Sequence, residues 1–403
     1  MTTPGPTTPG TTTPGTTIID AHVHFTPPGM LDTIGRTGDE PYWQFIMTPD
    51  EKNQTEQSFV TAERMIADMD AGGIDEVVLL AGYQQSARGC REANDTVLAL
   101  AERFPGRIIP FVSLSPADPG VLDELARCLD RGAAGVGEMN PYAQGCTLAG
   151  PELRRVADAC AEQNIPLTLH MSEEVGRFYF GKSTPRLGDY YEFARSVPDL
   201  KLVLAHWGGG LFFFEMMPLV AEQLAHVSYD TAASPLLYPT GTVFPVAEQI
   251  LAPHKVLYGS DYPLRITHEQ NDADFVPFLE QIDALGLSEE RRERILSQNT
   301  LELIDRSRPV RRGSTTDAAL AEEVAASRAL ADRLELPIDP FASVALVASR
   351  YPATKPVFER YGIPHTDSAV PVWEPIVQSA AARNIPAARQ AELIDDLNDA
   401  LGT

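Results

Sequence analysis

The sequence predicts an α/β protein built as a closed (β/α)8 TIM barrel with a small all-helical module at its carboxyl end. Two patterns predict the barrel. Short apolar and β-branched runs alternate with longer stretches of helical spacing, the sign of repeated βα units around a parallel sheet. Eight such runs lie between residues 17 and 258, and a single barrel occupies roughly 250 residues. A doubly wound open sheet is the alternative, but no glycine-rich phosphate loop follows the first run.

Along the chain, residues 1–17 consist of Met1, nine Thr, four Pro and three Gly. Such a stretch has nothing to bury and reads as a disordered leader. Strands are expected at 17–23, 76–80, 108–114, 134–138, 167–170, 202–206, 226–229 and 256–258. Between them, 59–71, 92–103, 121–131 and 152–163 have helical spacing and end on glycine or on Asn-Pro signals. The barrel domain is therefore placed at 18–306. A polar, basic connector (SRPVRRGSTT) fills 307–316, and an Ala-rich helix is expected over 317–334. The remainder reads as helices with Pro-marked turns, so 317–403 is taken as the small helical module.

Composition narrows the function. The 403 residues carry 32 Lys+Arg against 56 Asp+Glu, a net charge of −24. Such a surface repels phosphate backbones and anionic lipid, so a nucleic-acid binder is not expected. No apolar run approaches the ~18 residues of a membrane span. The amino end lacks the basic start and apolar stretch of a signal peptide, so a cytoplasmic protein is expected. The four cysteines form no CxxC pair and are read as free thiols.

The polar residues that end the strand runs carry the chemistry. His22 and His24 stand at i and i+2 in IIDAHVHF, so on a strand they share one side and form a two-pronged metal grip. Asp20 shares that side and is expected to support them. Glu138 ends GVGE, His170 ends PLTLH, His206 ends LVLAH and Asp261 ends VLYGSD. Each follows a short apolar run, so burying the strand delivers a polar tip to the same rim, where barrel active sites lie. In the loop after the fifth run, Arg177, Tyr179 and Lys182 are candidates for recognising a substrate carboxylate, Arg177 first because of its bidentate geometry. Trp207, ahead of three glycines, is a candidate pocket wall. The stretch Phe212 to Met217 reads as core or a subunit contact, and a homodimer is compatible with it.

This set of residues resembles the amidohydrolase superfamily. In particular it is similar to the amidohydrolase-related branch that also contains aromatic-acid and aminocarboxymuconate semialdehyde decarboxylases. The segments HMSEEVGRFYFGKSTP, KLVLAHWGGGLFFFEMMP, SYDTAASPLLY and KVLYGSDYPL extend the likeness over about residues 17–304. The resemblance implies that His22, His24, His170 and Asp261 bind a divalent metal. It places His206 beside the metal as an acid/base or electrophile, and gives Glu138 either a bridging or an outer role. Neutral imidazoles with carboxylate suit Zn(2+), and equally Fe(2+) or Mn(2+).

Two reactions fit these residues, each on a small-molecule substrate. The first expectation is hydrolysis of an amide, lactone or ester by metal-activated water. The alternative is non-oxidative decarboxylation of an aromatic or enoic acid, and a third reading is an inactive barrel serving as a binding protein. The carboxyl-terminal SVALVASRYPATKPVFERYGI also resembles the small helical domain that begins iron-sulfur cluster repair proteins. Those domains carry cysteines after the Tyr-Gly turn, whereas this chain reads IPHTDSA, so packing or association is the expected role.

Overall fold

The computed structural model of the chain describes residues 17–28, 30, 56–176, 182, 186–267, 270, 272–304, 338, 344, 347–348, 351–365, 376–383 and 385–401. The expectations for residues 1–16, for the linker 307–316, for the helix at 317–334 and for Arg177 and Tyr179 fall outside the described residues.

Eight parallel strands follow one another in order around the sheet: β1 (Ile19–Val23), β2 (Glu76–Leu80), β3 (Ile108–Val112), β4 (Gly135–Met139), β5 (Leu167–Leu169), β6 (Leu202–Leu204), β7 (Val227–Asp230) and β8 (Val256–Leu257). Hydrogen bonds also cross the seam from the end of β8 to β1. Ala21 N donates to Tyr258 O at 2.7 Å, Asp261 N to His22 O at 2.9 Å and His24 N to Tyr262 O at 2.7 Å. The architecture is the (β/α)8 barrel.

Strands covered on both faces need apolar residues throughout. Accordingly every residue of β1, β3, β4, β5, β6, β7 and β8 is buried. Helices between them are started by local capping. Thr61 Oγ1 accepts from Arg64 N at 3.2 Å ahead of helix Ala62–Gly72, which Gly73 ends at φ 69°. Ser86 Oγ accepts from Gly89 N at 3.0 Å ahead of helix Ala87–Arg103. That cap starts the helix five residues before the position its apolar spacing suggests.

The strand expected at 202–206 stops at Leu204. Five consecutive residues, His206 to Gly210, then have positive φ, from 56° to 94°. His206 is therefore presented by a tight turn just beyond the strand. At the end of the barrel region, Ile304 joins Ile19, Val78, Leu80, Ile109 and Phe111 in one buried cluster.

Beyond the barrel, helices Lys355–Arg360, Ile376–Ala382 and Ala387–Asp399 are present. Ile338, Val344, Val347, Phe358, Ile363, Leu393 and Leu397 belong to an apolar cluster of their own. All four cysteines are buried.

Candidate active site

Four imidazoles and three carboxylates meet at the carboxyl ends of the strands. His22 and His24 approach at their Nε2 atoms, 3.1 Å apart, as the i, i+2 spacing requires. Glu138 stands at the centre: its carboxylate lies 2.8 Å from His170 Nδ1, 3.3 Å from His206 Nε2, 3.4 Å from His24 Nε2 and 3.8 Å from His22 Nε2. Asp261 also approaches the histidine pair, with Oδ1 3.6 Å from His22 Nε2 and 3.7 Å from His24 Nε2, and Oδ2 3.8 Å from His206 Nδ1. The structure thus brings His22, His24, Glu138, His170, His206 and Asp261 into one cluster.

The ring nitrogens are oriented from behind. A carbonyl oxygen only accepts, so the 3.2 Å contact of His24 Nδ1 with Leu80 O puts a hydrogen on Nδ1 and turns Nε2 inward. His22 Nδ1 donates to Asp230 Oδ2 at 2.9 Å with the same result. His170 Nε2 meets Ser172 Oγ at 3.2 Å, and Tyr190 OH donates to the His170 carbonyl at 2.8 Å. Asp20, within β1, is a wholly buried acceptor for the backbone N–H groups of His22 and Ser260. It supports the loop and contributes no group to the cluster.

Electrostatics follow from this crowding. Burial pulls the His22 imidazole down, but the Asp230 and Glu138 carboxylates outweigh it and raise it to about 10. Burial also opposes the charge on His206, yet its hydrogen bond to Glu138 and the Asp261 charge raise it to about 9. Burial pushes the Glu138 carboxyl up, and the His170 and His22 charges then hold it well below the usual range. Burial raises Asp20 to about 7 despite the Ser260 hydrogen bond.

The donor set fits a divalent cation. Two inward Nε2 atoms 3.1 Å apart repel through their lone pairs unless a proton or a cation lies between them, and two carboxylates flank the same point. Strain is concentrated here as well. His206, Trp207 and Asp261 have φ of 57°, 56° and 67°, a region costly for residues with a Cβ and one that clusters at functional sites. Gly209, at φ 57°, is required in the same turn because a Cβ there would lie 2.6 Å from Ser172 O.

Two sequence expectations need correction. Trp207 offers no surface to a ligand: it is wholly buried, its indole N–H donates to Ser234 Oγ at 2.9 Å and its ring packs edge-on against Phe244. Its side chain belongs to the main hydrophobic core. Lys182, expected as a carboxylate contact in the loop, is buried and donates to Glu173 Oε1 at 2.8 Å. Asp230 was missed. It ends β7 one residue beyond the expected strand, and the signal that found Asp261, a carboxylate closing an apolar run, applies to SYD equally.

Comparison with known proteins places the fold and the family. The family model described as Amidohydrolase matches residues 19–306. The 6-methylsalicylic acid decarboxylase of Penicillium expansum is 26% identical over 325 residues, covering 72% of this chain and 96% of that protein. Among solved structures, the 5-carboxyvanillate decarboxylase of Sphingomonas paucimobilis aligns with a TM-score of 0.55 at 16% identity, over 72% of this chain and 99% of that one. A dihydroxybenzoic acid decarboxylase from Polaromonas, solved with manganese and 2-nitroresorcinol, aligns with a TM-score of 0.53 at 18% identity, over 72% and 97%. These findings overturn the expectation of a hydrolase: a relative matched over 96% of its own length is an aromatic-acid decarboxylase. The six rim residues fit either reaction chemically, which is why the sequence alone ranked the two wrongly. With 288 of its residues matched from Ile19 to Arg306, the chain belongs to the amidohydrolase family.

Proposed function

We propose that this protein is a divalent-metal-dependent, non-oxidative decarboxylase of a small aromatic carboxylic acid. The observation that carries the reading is near-full-length similarity to an aromatic-acid decarboxylase, combined with an intact imidazole and carboxylate cluster at the barrel rim. Residues 18–306 form the catalytic unit on this reading, and 317–403 a separate helical module.

His22, His24, His170 and Asp261 would hold the cation, with Glu138 at its edge; Mn(2+) and Zn(2+) both suit such donors. The bound ion supplies a Lewis acid that draws charge from substrate oxygens. In the reaction the bond between ring carbon and carboxylate breaks, its electron pair stays on the ring carbon, a proton fills that position and CO2 leaves. His206 and Asp261 are the proton carriers. Nδ1 of His206 bears a hydrogen, held at 3.2 Å by Ala232 O, and faces Asp261 Oδ2 at 3.8 Å. Of the carboxylates in the cluster, Asp261 is held least closely: its oxygens stand 3.6 Å or more from the imidazoles, while Glu138 and Asp230 lie 2.8 and 2.9 Å from an imidazole nitrogen. It is therefore the group placed to exchange a proton with a substrate. Arg177 remains the proposed carboxylate contact, on its bidentate chemistry.

The test is direct. Metal-reconstituted protein is incubated with a panel of 2-hydroxybenzoic acids, and CO2 and the corresponding phenol are quantified. Equimolar CO2 and phenol from at least one acid is expected. No CO2 from any of them, in protein shown to hold stoichiometric metal, would sink the reading.

A further inference from the structure

We propose that Asp230 is the positioning residue of the metal centre, its single carboxylate fixing both the tautomer of His22 and the backbone that presents His206. The inference rests on the metal-binding part of the reading above and not on the reaction.

The carboxylate is shared between two elements. Oδ2 accepts the Nδ1 hydrogen of His22 at 2.9 Å, across from β7 to β1. That contact pins the hydrogen on Nδ1 and leaves the Nε2 lone pair directed at His24 Nε2. Oδ1 accepts the backbone N–H of His206 at 2.9 Å and that of Ala232 at 3.1 Å. His206 is the first of the five residues with positive φ, so this bond holds the turn at its strained start. Asp230 and the His22 side chain are both wholly inaccessible to bulk solvent.

The chain also leaves room for the contact. At Gly259, after β8, a Cβ would lie 2.8 Å from His22 Cβ and 3.5 Å from Asp230 Cβ. The backbone there is fixed by Thr231 Oγ1, which donates to Gly259 O and accepts from Gly259 N, each at 3.0 Å. Residue 259 is thus held against the His22–Asp230 pair, and only glycine fits without displacing His22.

Outer carboxylates that orient metal-bound imidazoles are worth a measurable share of metal affinity. Asp230→Asn is nearly isosteric, and its amide oxygen still accepts from His206 N–H. Its NH2 then faces His22 Nδ1, which must accept instead of donate, so the imidazole hydrogen moves to Nε2, the nitrogen that meets the cation. Mn(2+) is titrated into the metal-free full-length chain by calorimetry, alongside a thermal melt of the metal-free protein. The expected result is a Kd weakened ~10- to 100-fold with a nearly unchanged melting midpoint. An unchanged Kd in folded Asp230→Asn overturns the proposal, and a lowered midpoint with wild-type Kd does the same by marking a purely structural residue. If that variant does not fold, Asp230→Glu decides, because it keeps the carboxylate charge and shifts its oxygens from the 2.9 Å contacts with His22 Nδ1 and His206 N. Weakened Mn(2+) binding by the folded protein then supports the proposal and wild-type binding overturns it. Since no step requires CO2 release, a failed decarboxylase assay leaves this result separately readable.

Discussion

Two buried charged clusters branch from adjacent residues of one strand, and they behave oppositely. Tyr229 donates through its hydroxyl to Glu215 Oε1 at 2.7 Å, and Lys255 Nζ reaches both oxygens of Glu215 at 2.5 Å and Leu224 O at 2.9 Å. Asp230, next along β7, faces the other way and reaches His22 and His206. The first cluster pairs one cation with one anion and gives each Lys255–Glu215 charge its own partners. The second crowds four imidazoles around three carboxylates and leaves two Nε2 lone pairs face to face. Burial of charge is common to both, so burial alone does not mark function. An unresolved arrangement of donors does, because it becomes satisfied only when a further cation or proton arrives.

The sharpest way to break this contrast is His24→Ala. It removes a ligand from the unresolved cluster, so bound metal and CO2 release should both fall to background while the circular dichroism spectrum is retained. Stoichiometric metal by elemental analysis in that variant would refute the ligand assignment.

Next in size is Lys255→Met. Stripping one partner from the closed cluster leaves Glu215 buried and unpaired, at a cost of about 3–5 kcal/mol of stability. Chemical denaturation should show that loss, and the double variant Lys255→Met/Glu215→Leu should recover most of it. Metal content per folded chain should be the same in all of them; a fall in metal content would mean that the two clusters are coupled through β7.

A smaller effect is expected from pH. His22 is raised to about 10 in the metal-free protein, against burial, by Asp230 and Glu138. The same carboxylates favour an extra proton on its Nε2, and a cation binding at that atom displaces it. Metal binding should release protons and tighten as pH rises toward that value, by about tenfold per pH unit for each proton displaced. Mn(2+) titrations between neutral and mildly alkaline pH, in two buffers of different ionisation enthalpy, measure both quantities. A Kd independent of pH would show that the imidazole is already neutral.

The smallest change is Tyr229→Phe, one residue from Asp230. Losing one hydrogen bond to Glu215 should cost about 0.5–1.5 kcal/mol and leave the Mn(2+) Kd untouched. A shifted Kd would show that the neighbouring carboxylate moves with the phenol.

Most of the barrel was legible because its strands are buried on both faces and so appear as near-continuous apolar runs. The expected run 76–80 coincides with β2, and the run 256–258 overshoots β8 by one residue. The same logic found His22, His24, Glu138, His170, His206 and Asp261, since a polar residue at the end of a buried strand has few other reasons to be there. Asp230 escaped because the seventh run was ended at Tyr229. Trp207 was misplaced because its partners, Ser234 and Phe244, are 27 and 37 residues away, and adjacency to His206 does not reveal them.

By itself the sequence determined the fold class, the strand order and the rim on which the chemistry sits, because hydrophobic periodicity and strand-end polarity are local properties of the chain. Tertiary structure decided which partners orient each imidazole: Leu80 O for His24, Asp230 for His22 and Glu138 for His170. Those contacts join residues 32 to 208 positions apart, and closing the barrel is what brings them within hydrogen-bond range.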